Sequence, residues 1–247
     1  MPDSTTSQAG PRNFPVTQWT MVLAAGATPS PESAAALERL CASYWYPLYA
    51  FVRRRGHSPH DAQDLTQEFF ARLLKHNWIA DADRDKGRFR SFLLMAMKRF
   101  LSKEWEKART LKRGGHVQMV PIQFDMAETR YTREPADTTT PEQEFERQWV
   151  MTLLDAVLKR LRQDYAEAGK GGLFETLKPC LIGSRESQPY ADLAAELGMS
   201  EGAVKMAVCR LRERYRACLK EEISQTVASP AHVDEELRHL FRVLARG

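Results

Sequence analysis

Cysteine is scarce in this chain. The 247 residues contain four, Cys41, Cys180, Cys209 and Cys218, with no CxxC pair and no Cys/His cluster at metal-binding spacing. That excludes a disulfide framework and a zinc site of the usual kind, and it suits a reducing compartment. Long apolar runs are missing too. No stretch approaches the roughly twenty apolar residues that span a bilayer, so no membrane insertion is expected. The opening MPDSTTSQAGPRN lacks the apolar core of a signal peptide. Residues 1–32 are expected to be a disordered or extended lead-in, and the protein cytoplasmic. Glycine-rich phosphate loops are absent: the nearest candidate, Gly169 to Gly172, does not have the P-loop pattern. The six histidines share no motif, and no paired carboxylates stand beside a supporting histidine. Catalytic residues, a metal and a cofactor are therefore not expected, which sets aside an enzyme acting on nucleic acid.

Period-two alternation is rare, whereas helical spacing recurs almost throughout. Helices are predicted over Ser33 to Val52, His60 to Leu74 and Phe89 to Leu111. In the last, Phe89, Phe92, Leu93, Ala96, Met97, Phe100 and Leu101 form one apolar stripe, and Gly114-Gly115 is the expected stop. Between Asp125 and Glu146 there are seven acids and two bases, a net of −5, with Pro135, Pro141 and three consecutive threonines. Residues 116–140 therefore read as a linker. Pro141 opens a helix to about Ala168, ended by Gly169, Gly171 and Gly172. A short helix at Leu173 to Leu181 and a helical pair at Tyr190 to Glu222 follow. Ser229-Pro230 reads as a cap and first position of a last helix with the stripe Val233, Leu237, Leu240 and Leu244. The expected fold is all-α: two helical domains, 33–115 and 141–222, joined by the linker, with a C-terminal helical extension at 223–247.

Within the second domain, Leu193, Ala194 and Leu197 point one short helix inward and Gly198 makes a turn. Ser200 caps a second helix whose inward stripe is Val204, Val208, Leu211 and Tyr215. Small Ala194 and Ala195 are expected to let the two helices cross closely. This is a helix-turn-helix, which can lay its second helix in the major groove. Glu201, Gly202, Lys205, Met206 and Cys209 are the exposed positions near its head. From Lys205 to Lys220 six bases stand against one acid, a net of +5, so Arg210, Arg212, Arg214 and Arg216 suit phosphates.

Two more charged faces lie in the first domain. Asp61, Asp64 and Glu68 share one face of the helix that buries Leu65, Phe69 and Leu73, an acidic stripe suited to a basic partner protein. From Lys98 to Arg113 seven bases face two acids, again +5, with Arg99, Lys103 and Lys107 in one row and Trp105 between them. Cations that track phosphates and rings that stack on unpaired bases are the chemistry of single-stranded nucleic acid binding. Phe92 and Phe100 are read as core.

The run DAQDLTQEFFARLL with GRFRSFLLMAMKRFLSKEWEKAR resembles domain two of the extracytoplasmic-function sigma factors of the sigma-70 family. PYADLAAELGMSEGAVKMAVCRLRERYRACL resembles their domain four. The resemblance implies a promoter-recognition subunit whose partners are core RNA polymerase, through its large-subunit clamp and its flap, and promoter DNA. An anti-sigma factor or other regulator is a further class of partner. On that resemblance Asp61, Asp64 and Glu68 are polymerase-binding. Arg88, Arg90, Lys98, Arg99, Lys103 and Trp105 fall to the −10 element, and Glu201, Lys205, Met206, Cys209, Arg210, Arg212 and Arg214 to the −35 element. The rival is a helix-turn-helix regulator that binds an operator without joining polymerase. The sequence departs from the minimal pattern in Met119 to Glu146, which is longer than a bare linker, in the added segment Tyr165 to Ser187 and in the helix after Ser229.

Overall fold

The computed structural model describes residues 31–75, 88–110, 131, 139–182, 189–227 and 230–245, and among them no residue is in a strand. In chain order the helices are α1 (Pro31–Arg54), α2 (Pro59–Lys75), α3 (Phe89–Thr110), α4 (Pro141–Glu167), α5 (Gly171–Leu177), α6 (Pro179–Ile182), α7 (Tyr190–Leu197) and α8 (Glu201–Ser224). After a 3₁₀ turn at Pro230–His232 comes α9 (Val233–Leu244). The fold is all-α, as expected. Residues 1–30 of the lead-in, Gly114-Gly115 and nearly all of the linker lie outside the described residues, while Pro31 and Glu32 already belong to α1.

Tyr44 to Val52 of α1 are buried without a break, so this stretch faces protein on every side. The reason is its place between α2 and α4, against both of which it packs. Pro47 sits within that stretch. A proline in a helix interior removes a hydrogen bond and costs about 3 kcal/mol. Here the rings of Tyr44, Trp45 and Tyr49 around it are all buried and Trp45 stacks on Tyr49, their centroids 5.2 Å apart. Packing outweighs the break.

α4 is the centre of the molecule. It starts on a capping box: the Gln143 backbone N–H donates to Thr140 Oγ1 and the Thr140 N–H to Gln143 Oε1, ahead of Pro141 in the first turn. Phe145, Trp149, Leu153, Val157, Leu161 and Tyr165 recur every fourth residue and are all buried. The helix packs most extensively on α1 and also on α8, α5 and α9. It ends where Gly169 takes a positive φ of 68°, a conformation open to glycine without penalty.

Two details differ from expectation. The single short helix predicted at Leu173 to Leu181 is two, α5 and α6, because Pro179 has no N–H to continue the ladder. Pro230 opens a 3₁₀ turn rather than the last helix itself. α9 instead begins after His232, whose side chain makes no capping bond, and carries Asp234, Glu235 and Glu236 in its first turn. Those acids complement the helix dipole. Ser229 lies outside the described residues.

Candidate nucleic-acid interface

The helix-turn-helix forms as its residues predict. Gly198 closes α7 in the left-handed region at φ 62°, and Ser200 caps α8 by accepting from the Ala203 N–H at 3.2 Å. Loss of such a cap costs about 1 kcal/mol. Leu193, Ala194, Val204, Val208 and Leu211 are buried, with Leu197 and Tyr215 packed on them. Ala195 is exposed, unlike Ala194. Successive helix positions lie about 100° apart, so both could not meet the same neighbour.

Glu201, Lys205, Met206, Cys209 and Arg210 are all exposed on α8, Met206 at 55%. Lys205 Nζ lies 3.8 Å from Glu201 and over the Tyr190 ring. Cys209 donates to Glu213 at 3.7 Å. Farther along, Arg212 donates to the Cys180 carbonyl at 3.0 Å and Arg214 stacks over Tyr165. These two guanidiniums are held by α6 and α4, which fixes their direction.

On α2 the three acids are not equivalent. Asp61 and Asp64 are exposed. Asp61 accepts from Ser58 Oγ at 2.7 Å and Asp64 lies 3.2 Å from His60. Glu68 is half-buried and accepts from Arg72, which also donates to Glu104 of α3 at 2.6 Å. Arg72 lies over the Phe100 ring as well. Glu68 thus belongs to the joint between α2 and α3.

On α3 the expected core stripe is buried or packed on the core, including Phe92 and Phe100. Arg99 and Lys103 are exposed, and Trp105 is exposed at 62%. The other expected −10 cations face inward, onto carboxylates of α4 and α9. Lys98 Nζ is 2.7 Å from Glu142. Arg88 reaches Glu235 with Nη2 and Glu236 with Nε, each at 2.7 Å. Arg90, only 2% exposed, has Nη1 3.0 Å from Glu236 and Nε 3.6 Å from Glu146, and its guanidinium stacks over Trp149 at 4.9 Å. His239 of α9 is hydrogen-bonded to Glu146.

This cluster is charged, buried and imperfectly bonded. Glu236 is 1% exposed, and burial pushes its carboxyl above the ordinary carboxylate range while Arg90 and Arg88 pull it back. Arg90 Nε and Nη1 and Glu236 Oε2 lie at ion-pair distance yet make no well-aligned hydrogen bond among the described residues. Burying an ion costs several kcal/mol, offset fully only when its bonds are well made. The acids on α4 and α9 were not singled out in the sequence. Their signals were the acidic run 142–146 and the three consecutive acids Asp234, Glu235 and Glu236.

Among the described residues no group of three or more His, Cys, Asp and Glu is placed to hold a metal ion, and no helix is long and apolar enough to cross a membrane. Residues 42–110 match the family described as Sigma-70 region 2, a span that covers the buried part of α1, α2 and α3. The chain is also 26% identical over 183 residues to the ECF RNA polymerase sigma factor SigE of Mycolicibacterium smegmatis, an alignment that takes in 74% of this chain and 61% of that protein. No solved structure matches it. The stretch that holds the acidic helix and the basic helix is thus similar to a Sigma-70 region 2, and the chain resembles an extracytoplasmic-function sigma factor over most of its length.

Proposed function

We propose that this protein directs bacterial RNA polymerase to promoters, and that it does so without catalysis of its own. The observation that carries this reading is the union on one chain of a region 2 with a capped helix-turn-helix, whose head exposes Glu201, Lys205, Met206, Cys209 and Arg210. In this reading residues 33–115 form domain two, in which Asp61, Asp64 and Glu68 meet the polymerase clamp. Arg88, Arg90, Lys98, Arg99, Lys103 and Trp105 meet the −10 element, opened into single strands. Residues 141–222 form domain four, which meets the flap and reads the −35 element with α8. Arg212 and Arg214 serve phosphates, which orient a protein on DNA but carry no sequence. Residues 223–247 are an extension.

An operator-binding regulator would also use α7 and α8, but it has no need of a region 2 or of an acidic face beside it. Purified protein added to core polymerase on a library of promoter fragments should start transcripts at defined positions. Binding of DNA by the protein with no defined start in the presence of core would instead favour the regulator.

A further inference from the structure

The C-terminal helix sits on two of the cations that the proposed function assigns to the −10 element, Arg88 and Arg90, and three observations give this placement a role. First, both carboxylates that meet Arg88 among the described residues, Glu235 and Glu236, come from α9. Second, α9 is held to the body by few apolar groups: Leu240 is buried and Val233, Leu237 and Val243 are packed part-way, while Phe241 is 61% and Leu244 39% exposed. Third, the buried ions under it are imperfectly hydrogen-bonded. A helix held by one buried apolar anchor and otherwise mainly by ion pairs is one that phosphates can displace, since α9 offers carboxylates where a DNA backbone would offer phosphates.

We propose that α9 is an intramolecular clasp that occupies Arg88 and Arg90 in the free protein and must leave before they can meet DNA. The inference rests on the −10 reading above. Undocking frees Arg88 entirely from its carboxylates, whereas Arg90 keeps Glu146 of α4 and Lys98 keeps Glu142. Arg88 is therefore the residue that reports the state of the clasp. The clasp competes with DNA, so the apparent affinity of the free protein is its intrinsic affinity multiplied by the fraction undocked.

The test uses the full chain and a short fluorescein-labelled single-stranded DNA of mixed sequence, read by fluorescence anisotropy. Leu240→Ser removes the buried anchor of α9 without changing charge. A second variant ends the chain after Val227. The residues it removes contain three acids and three arginines, so it too leaves net charge unchanged and cannot bind DNA better through bulk charge alone. Circular dichroism checks that α1 to α8 remain helical. If the clasp is marginal, with about a tenth of molecules open, either variant should bind about tenfold more tightly than the parent. Arg88→Ala should erase most of that gain in the opened variants and cost far less in the parent. Equal binding by the parent and both opened variants overturns the clasp. A gain that Arg88→Ala leaves intact overturns it as well, since the new affinity then comes from elsewhere. Promoter opening by holoenzyme made with the Arg88→Ala chain separates the two ideas. If opening fails there while the clasp test is negative, the −10 reading stands and only the clasp falls. If opening is unaffected, Arg88 does not serve the −10 element.

Discussion

At the head of α8 two kinds of side chain stand side by side, and they should fail differently. Lys205 and Met206 are exposed near the capped start, the part of the helix that the proposed docking turns to base edges, whereas Arg210 lies a turn farther on. Lys205→Ala or Met206→Ala should change which −35 sequence is preferred. Arg210→Ala should weaken all sequences alike and lower the salt slope of binding by about one unit. A selection of random duplexes with each variant reads both outcomes, and an unchanged preference for Lys205→Ala and Met206→Ala would remove α8 from base reading. A second residue-scale contrast concerns protons. Glu236 is pushed up, chiefly by burial, and Glu142 is held down, chiefly by the hydrogen bond from Lys98. Folded Glu236 holds its proton more tightly than the unfolded chain does. Its stabilising contribution is complete below the ordinary carboxylate pKa and is lost as pH rises through the raised value. That of Glu142 is present above its ordinary pKa and lost as pH falls through the depressed one. Arg88, Arg90, Glu146, Glu235, His239 and Tyr44 surround Glu236 and shape the curve. Urea melts from mildly acid to neutral pH should show the parent losing stability relative to Glu236→Gln as pH rises. Parallel curves would mean that the carboxylate is not strained by its burial.

Among the elements, α2 carries the claim that this protein joins polymerase. Its acids share a face by helical spacing, but Glu68 is tied through Arg72 to Glu104, so its loss loosens α2 from α3. Among the described residues Asp64 makes only an exposed pair with His60, and exposed pairs contribute only about 0–1 kcal/mol. Asp64→Lys should therefore leave the melting temperature within a few degrees of the parent and weaken capture of core polymerase, since like charges would meet a basic clamp. Glu68→Lys should lower the melting temperature as well, because it sets a lysine beside Arg72. Undiminished capture of core by Asp64→Lys would reduce the stripe to a solvated face.

For the whole molecule, α4 decides how the parts hold together. Its buried ridge, from Phe145 to Tyr165, fills space against α1 as well as against α8 and α9. Arg54 extends the joint by donating to Thr139 at 2.8 Å, and Arg160 pairs with Glu221 of α8 at 2.8 Å. Helices that share one core unfold together in a small protein. Urea unfolding followed by circular dichroism and by tryptophan fluorescence should give coincident curves with one midpoint. Trp149→Ala, which empties the space between Tyr44 and Arg90, should lower stability by about 3–5 kcal/mol for both probes together. Two separated transitions would show that α1 to α3 and α7 to α8 are held independently.

Local pattern was enough for the helices themselves. The apolar stripe of α3, the turn at Gly198 and the cap at Ser200 depend on residues within a few positions of one another, so spacing alone predicts them. The exposed head of α8 was legible for the same reason, since a helix whose inward stripe is known has a known outward face. Even the capping box of Thr140 and Gln143 has a local mark, a threonine three residues ahead of a glutamine. What spacing could not supply is which charge meets which. Arg88 and Glu235 are 147 residues apart, and nothing local distinguishes a cation waiting for a phosphate from one covered by a distant carboxylate. The periodicity of α4 likewise marks a buried face but not its partner, because an apolar ridge fits α1 or α8 equally well until the chain is folded. Local spacing was enough for most of the helices, for the cap at Ser200 and for the outward charge of α8. That α4 joins the two halves and that α9 covers Arg88 and Arg90 emerged with the fold. The hydrophobic effect that drives such docking is non-directional, so the choice among suitable faces is made by the whole chain at once.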